Sequence, residues 1–189
     1  MEITIATLED VTGIAKVHVE TWQKYYRGQV PDFYLDSLSV EKRVHKLEEM
    51  LASGESETIS LVAKENGRVI GFCDVGPSRD KDATAKTGEL YAIYVLPGEM
   101  GRGVGSQLMK RVLNILMDRG FTEATLWVFK SNGKTRRFYK QRGWSEDGAT
   151  KITPKDGFSY DEVRYNIRLG FPPISSAIWM RQECVRNLC

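Results

Sequence analysis

The run Tyr94-Val95-Leu96-Pro97-Gly98-Glu99-Met100-Gly101-Arg102-Gly103-Val104-Gly105-Ser106 constrains this chain more than any other segment. It leads from a β-prone stretch into an amphipathic one through a turn dense in glycine. A helix leaves its first backbone N–H groups without partners, and its N-terminus is the positive end of the helix dipole. Strand, turn and helix in this order therefore focus several donors on one point, an anion site into which a diphosphate fits. Glycine at 101, 103 and 105 lets the main chain approach phosphate oxygens with no Cβ in the way, and Arg102 adds a positive charge nearby. Two other phosphate loops fit less well. A P-loop needs lysine after its last glycine, and a dinucleotide turn needs a third glycine and an acidic residue about 20 positions on. Here Ser106 stands at the third glycine, no lysine follows, and the next strand ends in Phe129-Lys130.

The rest of the chain reads as alternating strands and helices. Glu2 to Ala6 predicts a first strand, and Thr7 with Asp10 forms a capping box for a helix carrying Ile14, Val17 and His18 at helical spacing. A second helical stretch starts at Pro31, and a third follows Ser39, with Val40, Val44, Leu47 and Leu51 recurring at three and four residues. Thr58 to Lys64 and Arg68 to Val75 flank Asn66-Gly67, the strongest short hairpin signal. Pro77 to Lys86 reads as a mobile polar loop, and Glu89 to Leu96 as a strand. A helix from Gly103 to Arg119 turns Val104, Leu108, Val112, Ile115 and Leu116 inward, followed by a strand from Ala124 to Phe129. Ser131 to Gln141 predicts a helix stopped by Gly143, and Trp144 to Thr153 and Tyr160 to Arg168 are strands around a Pro154–Gly157 turn. This order makes a mixed sheet packed by helices, in one domain over 1–169. The tail, 170–189, is a docking helix or an appendage, and Ile178 and Trp179 would give it an apolar patch for a homodimer.

A second element lies beyond the glycine turn: Asn132-Gly133-Lys134-Thr135-Arg136-Arg137-Phe138-Tyr139-Lys140-Gln141-Arg142-Gly143-Trp144. Together the two resemble the GNAT acetyltransferases, whose cofactor motif ends in Gly-x-Gly or Gly-x-Ala at a helix start. In that family the following strand leads to Asn, then Phe-Tyr, then Gly and an aromatic. The resemblance is firm from Glu89 to Trp144 and looser over Ile3 to Leu169. It departs at Met100, where the family usually carries Gln or Arg, and at Thr135, where a small residue is common.

The resemblance implies an α/β fold of α+β type, a mixed, mostly antiparallel central sheet of about seven strands flanked by helices. It implies acetyl-CoA as co-substrate and direct transfer of acetyl to a primary amine of a small molecule or peptide, through a ternary complex. Ile93, Tyr94 and Val95 would bond the pantetheine arm and polarise the thioester carbonyl, and Met100, Gly101, Arg102, Gly103, Val104, Gly105 and Ser106 would hold the diphosphate. Tyr139 matches the family's general acid, against a plain reading as a core aromatic. Glu89 matches a carboxylate base, against an ordinary exposed strand-end carboxylate. Asn132 bonds the pantetheine, caps a helix, or both. A non-catalytic acyl-CoA-binding or sensor module is the alternative, favoured by Met100. Direct transfer agrees with the residues themselves, since no Ser-His-Asp or Cys-His set is evident.

In this family the acceptor lies opposite the cofactor, near the first helices. Trp22, Tyr25, Tyr26, Phe33 and Tyr34 are dense there, with Glu20, Asp32 and Asp36 close in sequence. Aromatic faces can hold an ammonium, so Trp22, Tyr26 and Glu89 are candidate acceptor contacts. Packing of the helices onto the sheet is the plainer use of the rings. A net charge of +2 lacks the basic face of a nucleic-acid binder. No stretch approaches the roughly 20 apolar residues of a membrane helix, and Met1 to Ile5 lacks signal-peptide character, so a cytoplasmic location is expected. Cys73, Cys184 and Cys189 have no ligand spacing, and with His18 and His45 alone no metal site is expected.

Overall fold

A computed structural model describes residues 1–52 and 57–170, without the side chains of 50–52. Leu51's side chain and the tail residues Ile178 and Trp179 lie outside the described residues. The chain forms β1 (Glu2–Ile5), α1 (Val11–Tyr25), α2 (Asp32–Ser37), α3 (Val40–Ala52), β2 (Ile59–Glu65), β3 (Arg68–Pro77), β4 (Thr87–Val95), α4 (Val104–Asp118), β5 (Glu123–Phe129), α5 (Gly133–Lys140), β6 (Ser145–Lys155) and β7 (Phe158–Arg168). Seven strands make one sheet in the order β1-β2-β3-β4-β5-β7-β6. Only β4 and β5 run parallel; the other neighbours are antiparallel.

Local chemistry accounts for most of these elements. Asn66 and Gly67 both take positive φ, 51° and 77°, the twist that a two-residue turn between β2 and β3 requires. The Thr7 N–H donates to Asp10 Oδ2 at 3.0 Å, and a short 3-10 turn over Leu8–Asp10 leads into α1. Asp10 is buried and paired with Lys64 at 2.6 Å.

Where sequence reading and structure part, hydrogen bonding is the reason. The strand expected at Glu89 begins at Thr87, because Thr87 and Gly88 already pair with Glu123 and Ala124 of β5. The last turn is tighter than expected: Pro154 and Lys155 still pair with Ser159 and Phe158. The loop after Pro77, expected to be mobile, is tied to the sheet. Ser78 N–H donates to the Thr87 carbonyl at 2.9 Å, and Trp127 Nε1 donates to Asp80 at 3.0 Å. Arg164 holds Asp80, Asp82 and Asp147 together beside it.

The sheet is covered on both faces. Val104, Leu108, Met109, Val112 and Leu116 of α4 pack with Leu61, Ala63, Ile70, Cys73, Leu90, Leu126, Tyr139 and Trp144 on one side. On the other, Val11, Ile14, Ala15 and Val17 of α1 and Leu47 of α3 meet Val62, Val69 and Phe72. Alternate strand residues point to opposite faces, which is why Val62 and its neighbours Leu61 and Ala63 enter different cores.

A third cluster is aromatic. Trp22 stacks on Tyr26 with centroids 4.7 Å apart, and Phe129 meets Tyr26 edge-on and stacks on Tyr160 at 4.1 Å. His18 closes its flank, stacked on Trp22 and edge-on to Tyr94. Burial, reinforced by the Arg43 and Lys155 charges, pushes the His18 imidazole down to about 3. The folded protein therefore holds it neutral while the unfolded chain binds a proton near pH 6.5. Stability from this residue is complete above the unfolded value and is lost as pH falls from there toward the folded one. Between pH 7 and pH 5 wild type should lose roughly 1–2 kcal/mol more than His18→Gln. Urea melts of both proteins at the two pH values measure it, and parallel losses would refute it.

Candidate active site

Parallel pairing of β4 with β5 covers only Thr87–Glu123, Gly88–Ala124, Glu89–Thr125 and Leu90–Leu126. Beyond these pairs each strand keeps a single partner: β4 stays with β3 to Val95, and β5 stays with β7 to Phe129. The sheet thus opens into a gap between two strands in its middle. A bulge marks the opening, since Val75 faces Leu90 while Asp74 faces Ala92, which leaves Tyr91 as the extra residue.

Hydrogen-bond alternation decides which β4 groups face that gap. The Leu96 N–H donates to the Ile70 carbonyl at 2.9 Å, so in an antiparallel ladder Tyr94 also bonds toward β3, while Ile93 and Val95 point the other way. The amides of Ile93 and Val95 are therefore directed into the gap; that of Tyr94 is turned to Phe72, and Tyr94 contributes its ring to the aromatic cluster instead. The Val95 carbonyl accepts from Thr21 Oγ1 at 3.2 Å. Tyr25 donates to the Pro97 carbonyl and Ser131 to Gln29, so the end of α1 and the turn after it reach both sides of the opening.

At the far end of β4 a 3-10 turn, Pro97–Glu99, leads through Met100 to Gly103, the residue before α4. Gly101 and Gly103 both have φ of +84°, and a Cβ on either would meet nothing within 4 Å. Left-handed backbone and open space are what a donor loop facing a ligand needs. The backbone N–H groups of Gly101, Arg102, Gly103, Val104 and Gly105 make no hydrogen bond among the described residues, whereas Ser106 and Gln107 donate to the Gly103 carbonyl. Met100 is half exposed at the rim, at 37%.

Arg102 does not bring its charge to this turn. Its guanidinium bonds both oxygens of Glu65 at 3.0 Å and also Glu99, which in turn binds Arg68. Four charges thereby fix the turn to the β2–β3 hairpin, and what Arg102 offers an anion is its N–H. Sequence reasoning missed a second arginine, Arg142, after α5. Its guanidinium lies 3.7 Å over the Phe138 ring, with Nη1 donating to the Phe138 carbonyl at 2.9 Å and Nη2 to Ser106 Oγ at 2.5 Å. No local signal marks it, since it follows a helix rich in basic residues.

Asn132 caps α5, its Oδ1 accepting from Thr135 N–H at 3.1 Å, which leaves the side-chain NH2 as donor. Seven residues on, Tyr139 is buried against Phe138, Trp144 and Tyr165. Its hydroxyl makes no hydrogen bond among the described residues. Burial, with Tyr94 and Cys73 close by, pushes the phenol well above its ordinary range. Cys73 pairs with Ile93 across β3 and β4, so the phenol lies near the β4 edge of the gap.

Glu89 is not an exposed strand-end carboxylate: it is 3% exposed, third in β4 and one pair short of the opening. Its Oε2 accepts from Arg79 N–H and its Oε1 from Arg79 Nη2, each at 2.9 Å. The same guanidinium lies 3.8 Å over the Tyr91 ring. Trp22 is buried at 7%, packed into the aromatic cluster, while Tyr26 is partly exposed. Asp32 and Asp36 are bound by Arg27 and Glu20 by Lys16. The plainer packing role therefore fits Trp22. No helix among the described residues is long and apolar enough to cross a membrane.

Comparison with known proteins bears on this geometry. The family model described as Acetyltransferase (GNAT) family matches residues 19–144, a span that holds the gap, the glycine turn and α5. The uncharacterized N-acetyltransferase YuaI of Bacillus subtilis is 32% identical over 172 residues, 90% of this chain and 92% of that protein. Among solved structures, the PaiA N-acetyltransferase of Thermoplasma acidophilum, in complex with coenzyme A, superposes with a TM-score of 0.66 at 24% identity, over 89% of this chain and 99% of that one. Salmonella typhimurium yncA, a putative acetyltransferase solved with acetyl-CoA, gives 0.67 at 21% identity over 91% and 95%. The parted strands, the donor turn at the start of α4 and the match over both together place this chain in the GNAT acetyltransferase family.

Proposed function

We propose that the protein is an acetyl-CoA-dependent N-acetyltransferase that carries acetyl directly to a primary amine in a ternary complex. The observation that carries this is the gap itself: its β4 edge presents the amides of Ile93 and Val95, and the unpaired N–H groups of 101–105 lie at its end. These groups fit the co-substrate. The turn suits a diphosphate, and the Ile93 and Val95 amides with the Asn132 NH2 suit the amides of a pantetheine arm. When bound, acetyl-CoA supplies an acyl group activated as a thioester.

The protein's own groups would then divide the work. Fixed N–H donors of β4 face the position where a carbonyl oxygen gains negative charge, and such preorganised donors act without reorganising. Tyr139 stays protonated at every working pH because burial disfavours its phenolate, so it is a standing donor to the departing sulfur. The amine must lose a proton, and Glu89 would receive it directly or through water once Arg79 yields an oxygen. The acceptor approaches from the α1 side, with Tyr26 and Glu89 as its candidate contacts.

Thiol release from acetyl-CoA, measured against a polyamine, amino acids, aminoglycosides and a peptide N-terminus, tests the activity. Coenzyme A binding without turnover across that panel would mark a binding module instead. Tyr139→Phe should lower kcat by about 10² or more while coenzyme A binds as before; wild-type kcat would remove the tyrosine as acid. In Glu89→Gln the rate should keep rising with pH toward the amine's own pKa, about 10.4 for a lysine-type acceptor. A pH–rate profile matching wild type would remove Glu89 from the mechanism.

A further inference from the structure

The geometry points to Arg142 as the side chain that grips a phosphoryl group of coenzyme A at the start of α4, supplying the cationic contact that neither Met100 nor Arg102 provides. This rests on the acetyl-CoA reading above and adds a residue to it.

Three observations carry the inference. First, Arg142 is fixed. It stacks on Phe138 at 3.7 Å and bonds the Phe138 carbonyl and Ser106 Oγ, and Phe138 itself packs beneath Gly105, where an added Cβ would lie 3.4 Å from the ring. Two of the guanidinium's five N–H donors are accounted for by these bonds, leaving others free. Second, its charge has no carboxylate partner among the described residues, whereas Arg102 binds Glu65 and Glu99, Arg68 binds Glu99 and Arg136 binds Glu146. Third, its guanidinium joins two helix ends: it caps the Phe138 carbonyl at the C-terminus of α5, where a cation is favoured, and through Ser106 it reaches the start of α4. Ser106 is in the first turn of α4, where the dipole is positive and the unpaired N–H groups of 101–105 converge. An anion bound at that end would meet both these N–H donors and the guanidinium. The arrangement makes sense as half of a site whose other half is a phosphoryl group, and the planar fork of arginine matches two phosphoryl oxygens.

Calorimetric titration of full-length wild type and Arg142→Gln with coenzyme A and with dephospho-coenzyme A, at two salt concentrations, tests it. About tenfold weaker coenzyme A binding is expected for the variant, with a shallower salt dependence. The KM for acetyl-CoA should rise by more than kcat falls. Without ligand the variant's Tm should fall, because the Phe138 stack and the bonds to the Phe138 carbonyl and Ser106 are lost, and its Tm gain on adding coenzyme A should shrink. Arg142→Lys should fall between the two proteins in affinity. A loss that persists with dephospho-coenzyme A identifies the diphosphate as the partner; one confined to coenzyme A identifies the 3′-phosphate, and either upholds the contact. Binding by Arg142→Gln within threefold of wild type overturns it, as does an undiminished ligand-induced gain in Tm. If wild type binds no coenzyme A, the acetyl-CoA reading fails rather than the arginine's role alone.

Discussion

Strands β4 and β5 share only four residue pairs before they diverge, and the backbone groups left behind govern what the molecule can do. A strand in the middle of a sheet ordinarily has both edges bonded, and an unpaired N–H away from water costs about 1–3 kcal/mol. Here the Ile93 and Val95 amides face neither β3 nor a second strand, and the fold does not fill the space with another element. It frames it. The bulge at Tyr91 turns β4 where pairing ends, Thr21 takes up the Val95 carbonyl, and contacts from Tyr25 and Gln29 reach either side. The core beneath, from Leu108 and Val112 to Leu126 and Tyr139, holds the two strands apart in a fixed relation. The separation is thus maintained by packing on both faces of the sheet, while the polar groups it exposes remain available to a ligand.

Charge is distributed around the gap with the same economy. At the glycine turn, Arg102 and Arg68 are absorbed by Glu65 and Glu99, so those side chains stiffen the turn and leave the binding of an anion there to backbone dipoles. At the other end, the buried carboxylate of Glu89 is covered by Arg79, whose guanidinium is itself supported by the Tyr91 ring. A buried carboxylate without a partner would be costly; one covered by a largely exposed arginine is compensated yet can exchange that cation for another. An acceptor ammonium carries the same charge as the group it would displace.

Short-range chemistry made part of this legible in the sequence. Asn66-Gly67, Thr7 with Asp10, and the glycines before α4 each encode a local geometry, and each appears where the residue pattern puts it. Asn132 also reads correctly as a cap, because capping is a matter of the next three residues. The parting of β4 from β5 could not be read from residue periodicity, since both strands keep strand-like sequences to their ends and the divergence depends on what lies between them. Glu89 likewise looks like any strand-end carboxylate until β5 and the loop carrying Arg79 close over it. Arg142 sits after a helix among other basic residues, and nothing local says that it reaches Ser106 across the α4–α5 contact. The missed features all depend on contacts between segments remote in sequence, and the anchoring of the loop after Pro77 was hidden for the same reason: its partners, Trp127 and Arg164, come from β5 and β7.

Between the two charged ends the surroundings are kept neutral. Burial raises the phenols of Tyr139, Tyr94 and Tyr26 above their ordinary range and that of Tyr160 to about 12, and it lowers the His18 imidazole to about 3. In every case the uncharged form is favoured, so tyrosines that crowd one another carry no mutual repulsion and each remains able to donate a hydrogen bond. Electrostatic interactions strengthen as the local dielectric falls. In the proposed reaction, an oxygen gaining charge beside the β4 amides would be stabilised more than in water, and a sulfur leaving as an anion would meet a protonated donor. In that reaction the aromatic packing that makes Trp22 a poor acceptor contact would act at one remove: by excluding water from the parted strands, it would increase the worth of the few polar groups left between them.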